Sequence, residues 1–122
     1  MIPAKICSWV PFLVTLDLSN NLLSGQIPPD LGQCQYLNRL VLSNNSLSGP
    51  IPSQLSNLNR LTVFSVADND LNGPIPASFD HFDEAGFDGN KGLCGKPLGG
   101  KCGALSKKNL AIIIAAGVFS AA

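Results

Sequence analysis

Between Leu13 and Phe82 the chain repeats itself every 24 residues. A segment that recurs at such a period cannot bury its apolar face alone, so successive copies must stack into a solenoid. Leu13, Leu37 and Leu61 head three units. Behind them run Leu16/Leu40/Phe64, Leu18/Leu42/Val66, Asn21/Asn45/Asn69, Leu23/Leu47/Leu71, Gly25/Gly49/Gly73, Ile27/Ile51/Ile75 and Pro28/Pro52/Pro76. The periodicity stops after Phe82. In front of it, Ile2-Pro3 and Ile6 match the back half of a further unit, joined by Trp9-Val10-Pro11-Phe12 with one extra residue, since Ile2 to Ile27 is 25. The chain therefore reads as starting in mid-repeat, with Ile2, Ile6 and Trp9 as an apolar end that no coil covers.

The L-x-L core of each unit has period two, so Leu16 and Leu18, and their equivalents, point to one side of a short strand while Asp17, Val41 and Ser65 point to the other. Copies of that strand stack in parallel and predict a single curved sheet. The asparagine that follows can satisfy backbone groups which a tight turn inside a solenoid would leave unpaired. In the next segment, L-x-G-x-I-P, glycine permits backbone angles closed to other residues and proline bars an α-helix. The back of the coil is thus expected to be extended or 3₁₀. Leu31/Leu55/Phe79 and Cys34/Leu58/Phe82 then return to the core.

The form L-x-x-L-x-L-x-x-N-x-L resembles the leucine-rich repeat, and the longer L-x-G-x-I-P consensus resembles the plant-type repeat of receptor-like kinases and receptor-like proteins. Phe87-Asp88-Gly89-Asn90-Lys91-Gly92-Leu93-Cys94-Gly95-Lys96-Pro97-Leu98, with Cys102 nearby, is similar to the C-terminal cap of plant receptor ectodomains. The run from Cys102-Gly103-Ala104-Leu105 through Ser106-Lys107-Lys108-Asn109 into Leu110-Ala111-Ile112-Ile113-Ile114 resembles the pseudokinase subfamily that interacts with the co-receptor of brassinosteroid and flagellin signalling. The implied fold is an α/β leucine-rich-repeat right-handed solenoid with short parallel strands on its concave face and an extended or 3₁₀ convex side, followed by a C-terminal cap and an apolar helix. Residues 1–82 would be the repeats, 83–102 the cap, 103–109 a juxtamembrane linker and 110–122 a truncated transmembrane helix.

A formal net charge of zero hides an asymmetry: residues 1–90 carry eight acids against Lys5, Arg39 and Arg60, a net of −5, whereas residues 91–122 carry five lysines and no acid. An acidic solenoid does not suit nucleic acid, which needs clustered cations on one face. The lysines stand beside the uncharged stretch Leu110 to Ala122, where basic residues mark a membrane interface. As a helix that stretch would reach roughly 20 Å, short of the ~30 Å hydrocarbon core. Met1-Ile2-Pro3-Ala4-Lys5 lacks the pattern of a signal peptide, so the chain reads as a fragment or truncated product. By the resemblance the repeats would lie outside the plasma membrane, although Lys107 and Lys108 alone would favour the opposite orientation.

Of the four cysteines, Cys94 and Cys102 lie close together in a Gly/Pro-rich segment that suits one disulfide and an oxidising compartment. Cys34 holds the repeat position of Leu58 and Phe82 and reads as a buried small hydrophobe; Cys7 has no assigned role. No metal or cofactor site is expected: there is no C-x-x-C pair and no paired histidine. Asp68-Asn69-Asp70-Leu71-Asn72-Gly73 opens like a calcium loop, but Phe79 stands where the closing glutamate belongs, and the repeat explains the six residues. His81 is a lone surface histidine, Gly99-Gly100-Lys101 is no phosphate loop, and no kinase motif is present. Asn44-Asn45-Ser46 is an N-glycosylation sequon with Asn44 as acceptor.

These features point to binding, not catalysis. The resemblance implies an inactive receptor-like kinase ectodomain fragment that binds a co-receptor kinase or other protein and regulates its signalling in immunity and growth. The alternative is a truncated or soluble repeat module with no signalling role of its own. The binding residues expected on the concave face are Thr15, Asp17, Ser19, Arg39, Val41, Ser43, Val63, Ser65 and Ala67.

Overall fold

The computed structural model describes residues 1–99 and Cys102. Each 24-residue unit makes one coil. Strands β1 (Thr15–Asp17), β3 (Arg39–Val41) and β5 (Val63–Ser65) pair in parallel, with Leu16 opposite Leu40 and Leu40 opposite Phe64. The register advances by one full repeat per strand, so equivalent side chains stack and the alternation places Leu16, Leu40 and Phe64 in the core at 8%, 0% and 4% exposure.

The back of the coil contains both predicted conformations. Pro28, Pro52 and Pro76 hold an extended ψ of 131°, 133° and 137° and start the 3₁₀ segments Pro29–Gln33, Ser53–Asn57 and Ala77–Phe79. The extended part does more than the sequence suggests. β2 (Ser24–Gln26), β4 (Ser46–Gly49), β6 (Asp70–Pro74) and β7 (Gly92–Cys94) form a second parallel sheet, so the expectation of a single sheet is corrected. Ser24 pairs with Ser46 and Ser48 with Asp70, two residues short of the repeat. A slip of two leaves each side chain on its own face, so Leu47 and Leu71 still point inward. The glycines in these strands, Gly25, Gly49 and Gly73, sit at φ of 82°, 78° and 85°, which L-residues with a Cβ rarely adopt.

Burial is deepest in the middle unit. Leu37, Leu40, Leu42, Leu47 and Leu55 are all fully enclosed, while Leu13, Leu18 and Leu23 of the preceding unit are only partly buried. This follows from the solenoid, in which a coil needs a neighbour on both sides to close its core. At the amino-terminal end Ile2 is buried and Ile6 partly so, correcting the expectation that both lie uncovered; Trp9 is 66% exposed, in agreement with it.

Two elements depart from the sequence reading. Periodicity continues past Phe82 for one shortened unit: the N–H of Val66 donates to Gly86 O as that of Leu42 does to Ser65 O, and Phe87 takes the place of Val66 in the core. Gly86 is required there, because a Cβ would come within 2.6 Å of Phe64 O. The coil loses three residues between Phe82 and Phe87, and aromatic rings close the gap: Phe64 lies 4.9 Å from Phe79 and 5.6 Å from Phe87.

Cys34, in turn, is buried as its repeat position predicts but is bonded to Cys7, with Cα atoms 5.1 Å apart. The short helix α1 (Ile6–Trp9) packs against the first 3₁₀ segment, and that contact brings the two sulfurs together. Cys94 is bonded to Cys102, Cα atoms 5.0 Å apart. The expected linker and membrane helix, residues 103–122, lie outside the described residues; among those described, no helix is long and apolar enough to cross a membrane.

Candidate protein-binding face

The outer surface of the sheet β1–β3–β5 is where the sequence placed the binding residues. By register Thr15, Arg39 and Val63 form one row and Asp17, Val41 and Ser65 a second. Ser19, Ser43 and Ala67 follow just beyond the strands. Thr15, Asp17 and Arg39 are exposed, Val63 is 39% exposed, and Ser19, Ser43, Ser65 and Ala67 are half-buried. Val41 departs from the expectation: it is only 9% exposed. It occupies the central strand between Asp17 and Ser65, and neighbours on strands ~4.8 Å away cover its short side chain. It shapes the floor of the face and offers little contact area.

The polar anchor of this surface is a pair. Arg39 Nη2 lies 3.7 Å from Asp17 Oδ2, with both side chains close to half exposed. Asp17 Oδ1 accepts from the Ser19 hydroxyl at 2.6 Å and from the Ser19 N–H at 3.1 Å. Those two hydrogen bonds, with Arg39 contributing less, hold the Asp17 carboxyl below its ordinary value of 3.8. An exposed ion pair of this kind adds little stability. Its effect is orientational: the carboxylate fixes the guanidinium over the sheet while part of its donor edge still faces solvent.

Beside the face runs the asparagine ladder. Asn45 Nδ2 donates to the carbonyls of Leu18, Leu42 and Ser43, and its Oδ1 accepts from the N–H of Leu23 in the coil before. Asn69 repeats this with Leu42, Val66, Ala67 and Leu47. Asn90, buried in the last unit, repeats it again with Val66, Phe87, Asp88 and Leu71. The spacing of 21 residues from Asn69, instead of 24, hides this rung from the period of the sequence.

A second row escaped the sequence reading altogether. Asn20, Asn44 and Asp68 all adopt the left-handed conformation, at φ 58°, 57° and 58°, which short polar side chains tolerate best. Asn44 Nδ2, the atom a glycan would join, donates to Asn20 Oδ1 at 2.7 Å, and the residue is exposed. Asp68 and Asp70 are accounted for by this row and by the start of β6, respectively. His81 is exposed, its ring 4.2 Å from that of Phe82.

Comparison with known proteins agrees with this architecture. A leucine-rich-repeat family model matches residues 12–34 and 36–58. The inactive LRR receptor-like serine/threonine-protein kinase BIR2 of Arabidopsis thaliana is 63% identical over 123 residues, covering 99% of this chain and 20% of that protein. The crystal structure of the BIR2 ectodomain superimposes with a TM-score of 0.81 at 58% identity, over 83% of this chain and 54% of that one. A chain of the Arabidopsis BIR3–SERK2 complex does so with a TM-score of 0.80 at 58% identity, over 84% and 54%. The chain spans about a fifth of the length of the curated relatives it matches. With the 24-residue consensus, the stacked parallel strands and this likeness along almost its whole length, the chain belongs to the leucine-rich-repeat receptor-like kinase family.

Proposed function

We propose that this chain is protein-binding ectodomain sequence of an inactive receptor-like kinase, and that its concave face engages the ectodomain of a co-receptor kinase. In this reading binding restrains co-receptor signalling in plant immunity and growth, and no catalysis belongs to the chain. Residues 1–82 supply the full-length repeats, 83–102 hold the shortened last unit and close the solenoid as a cap, and 103–122 lead to and into the plasma membrane, with the repeats outside. The observation that carries the reading is the likeness to a chain of the BIR3–SERK2 complex at 58% identity. Two disulfides support the extracellular placement, because such bonds persist in oxidising compartments.

Arg39 is the anchor of the proposed contact. Among the described residues it is the one cation on the concave face, its guanidinium is oriented by Asp17, and arginine is favoured at interface hot spots. Arg39→Ala should weaken binding to a purified co-receptor ectodomain by more than ~1 kcal/mol in calorimetry, with the melting temperature unchanged. Lys91→Ala, an exposed cation in the turn before β7, is the control. Equal loss from both changes, or none from either, removes the concave face as the binding site.

A further inference from the structure

A second polar site lies away from the concave strands, along the edge where each coil leaves its 3₁₀ segment and enters the next strand. A cleft of about 700 Å³ opens there, within the size range of small-ligand sites. Its lining side chains come in pairs one repeat apart: Gln33 with Asn57, Gln35 with Asn59, and Tyr36 with Arg60. The cleft has no third rung, because the shortened last coil drops three residues in this turn.

The Arg60 guanidinium carbon sits 4.8 Å from the centroid of the Tyr36 ring, and the Phe12 ring lies 5.4 Å from it. Stacking on a ring occupies the flat face of a guanidinium and leaves its N–H edge free to grip an anion. Among the described residues Arg60 has no ion-pair partner; the one ion pair is that of Arg39 with Asp17. Around it stand four primary amides, each offering two donors and an acceptor that can exchange hydrogen bonds with hydroxyl groups. Most of the lining is polar, so an acidic peptide would find few apolar pockets for its side chains.

We propose that this cleft binds a carboxylate-bearing oligosaccharide, with the carboxylate held in plane by Arg60 and the hydroxyls by Gln33, Gln35, Asn57 and Asn59. The proposal is independent of the co-receptor reading, since it uses another face.

The test is calorimetric titration of the whole chain with trigalacturonate, and with galactotriose as the uncharged comparator. The acidic sugar should bind about tenfold more tightly or better, the scale of one hydrogen-bonded contact to a charge. Arg60→Gln should abolish that preference. In the unaltered chain, NMR should show trigalacturonate shifting the side-chain amides of Gln33, Gln35, Asn57 and Asn59, which tests the site even if the variant fails to fold. The proposal is overturned by absence of trisaccharide binding at millimolar concentration, by an equal loss from Arg39→Gln, or by tighter binding of an oligoglutamate peptide than of the uronide.

Discussion

Asp17 shows how one residue serves both fold and face. Its carboxylate closes a local turn through Ser19 and orients Arg39 on the neighbouring strand. Because the folded-state pKa is depressed, the associated stabilisation is present above the unfolded value of 3.8 and is lost as pH falls through the lower folded value. A carbon-detected NMR titration should place the Asp17 midpoint below 3.8. Ser19→Ala should raise that midpoint more than Arg39→Ala does, since the serine hydroxyl is the largest cause of the shift. The reverse order would make the ion pair the dominant interaction. Asp17 and Arg39 were legible as outward residues from period two alone, but their pairing needed the 24-residue register that brings β1 beside β3.

At the scale of elements, stability rests on the inward leucines and on the asparagine rungs. Leu42 is fully buried in the middle coil, and Leu42→Ala should cost ~2–5 kcal/mol in denaturant unfolding. The rungs should differ among themselves. Asn90 is buried and serves four backbone groups, so Asn90→Ala should cost about 1–3 kcal/mol by leaving them unpaired. Asn21 is exposed and bonds only the Leu18 and Ser19 carbonyls, where water can replace it; Asn21→Ala should stay within about 0.5 kcal/mol. Equal costs would mean that the ladder is not cooperative between coils.

For the molecule as a whole, the two disulfides and the apolar amino-terminal edge set the behaviour. The Cys7–Cys34 bridge ties the first half-coil to the first full unit across 27 residues of chain. In the chain-entropy view it contributes about 3–4 kcal/mol, and the cap bridge about 2–3 kcal/mol. Cys7→Ser with Cys34→Ser should therefore lower the melting temperature more than Cys94→Ser with Cys102→Ser. The exposed Trp9, Phe12 and Val14, at 66%, 73% and 53%, lie together at that edge and invite self-association. Sedimentation should show concentration-dependent association that Trp9→Ser with Val14→Ser reduces; a monomer at all concentrations would contradict this.

What was legible in the sequence is what a period can carry. Spacing of 24 names the inward positions, the parallel strands, the proline-started 3₁₀ turns and the asparagine rungs, because each depends on a residue type recurring at one place in the coil. Whatever depends on a change of spacing, or on contact between different places in the coil, was decided by the tertiary structure. The second sheet pairs strands with a slip of two, Asn90 follows a deletion of three, and Cys7 meets Cys34 only because α1 folds onto the first 3₁₀ segment. Val41 belongs with them: alternation sets the side on which it points, but only the strands on either side determine that it is covered.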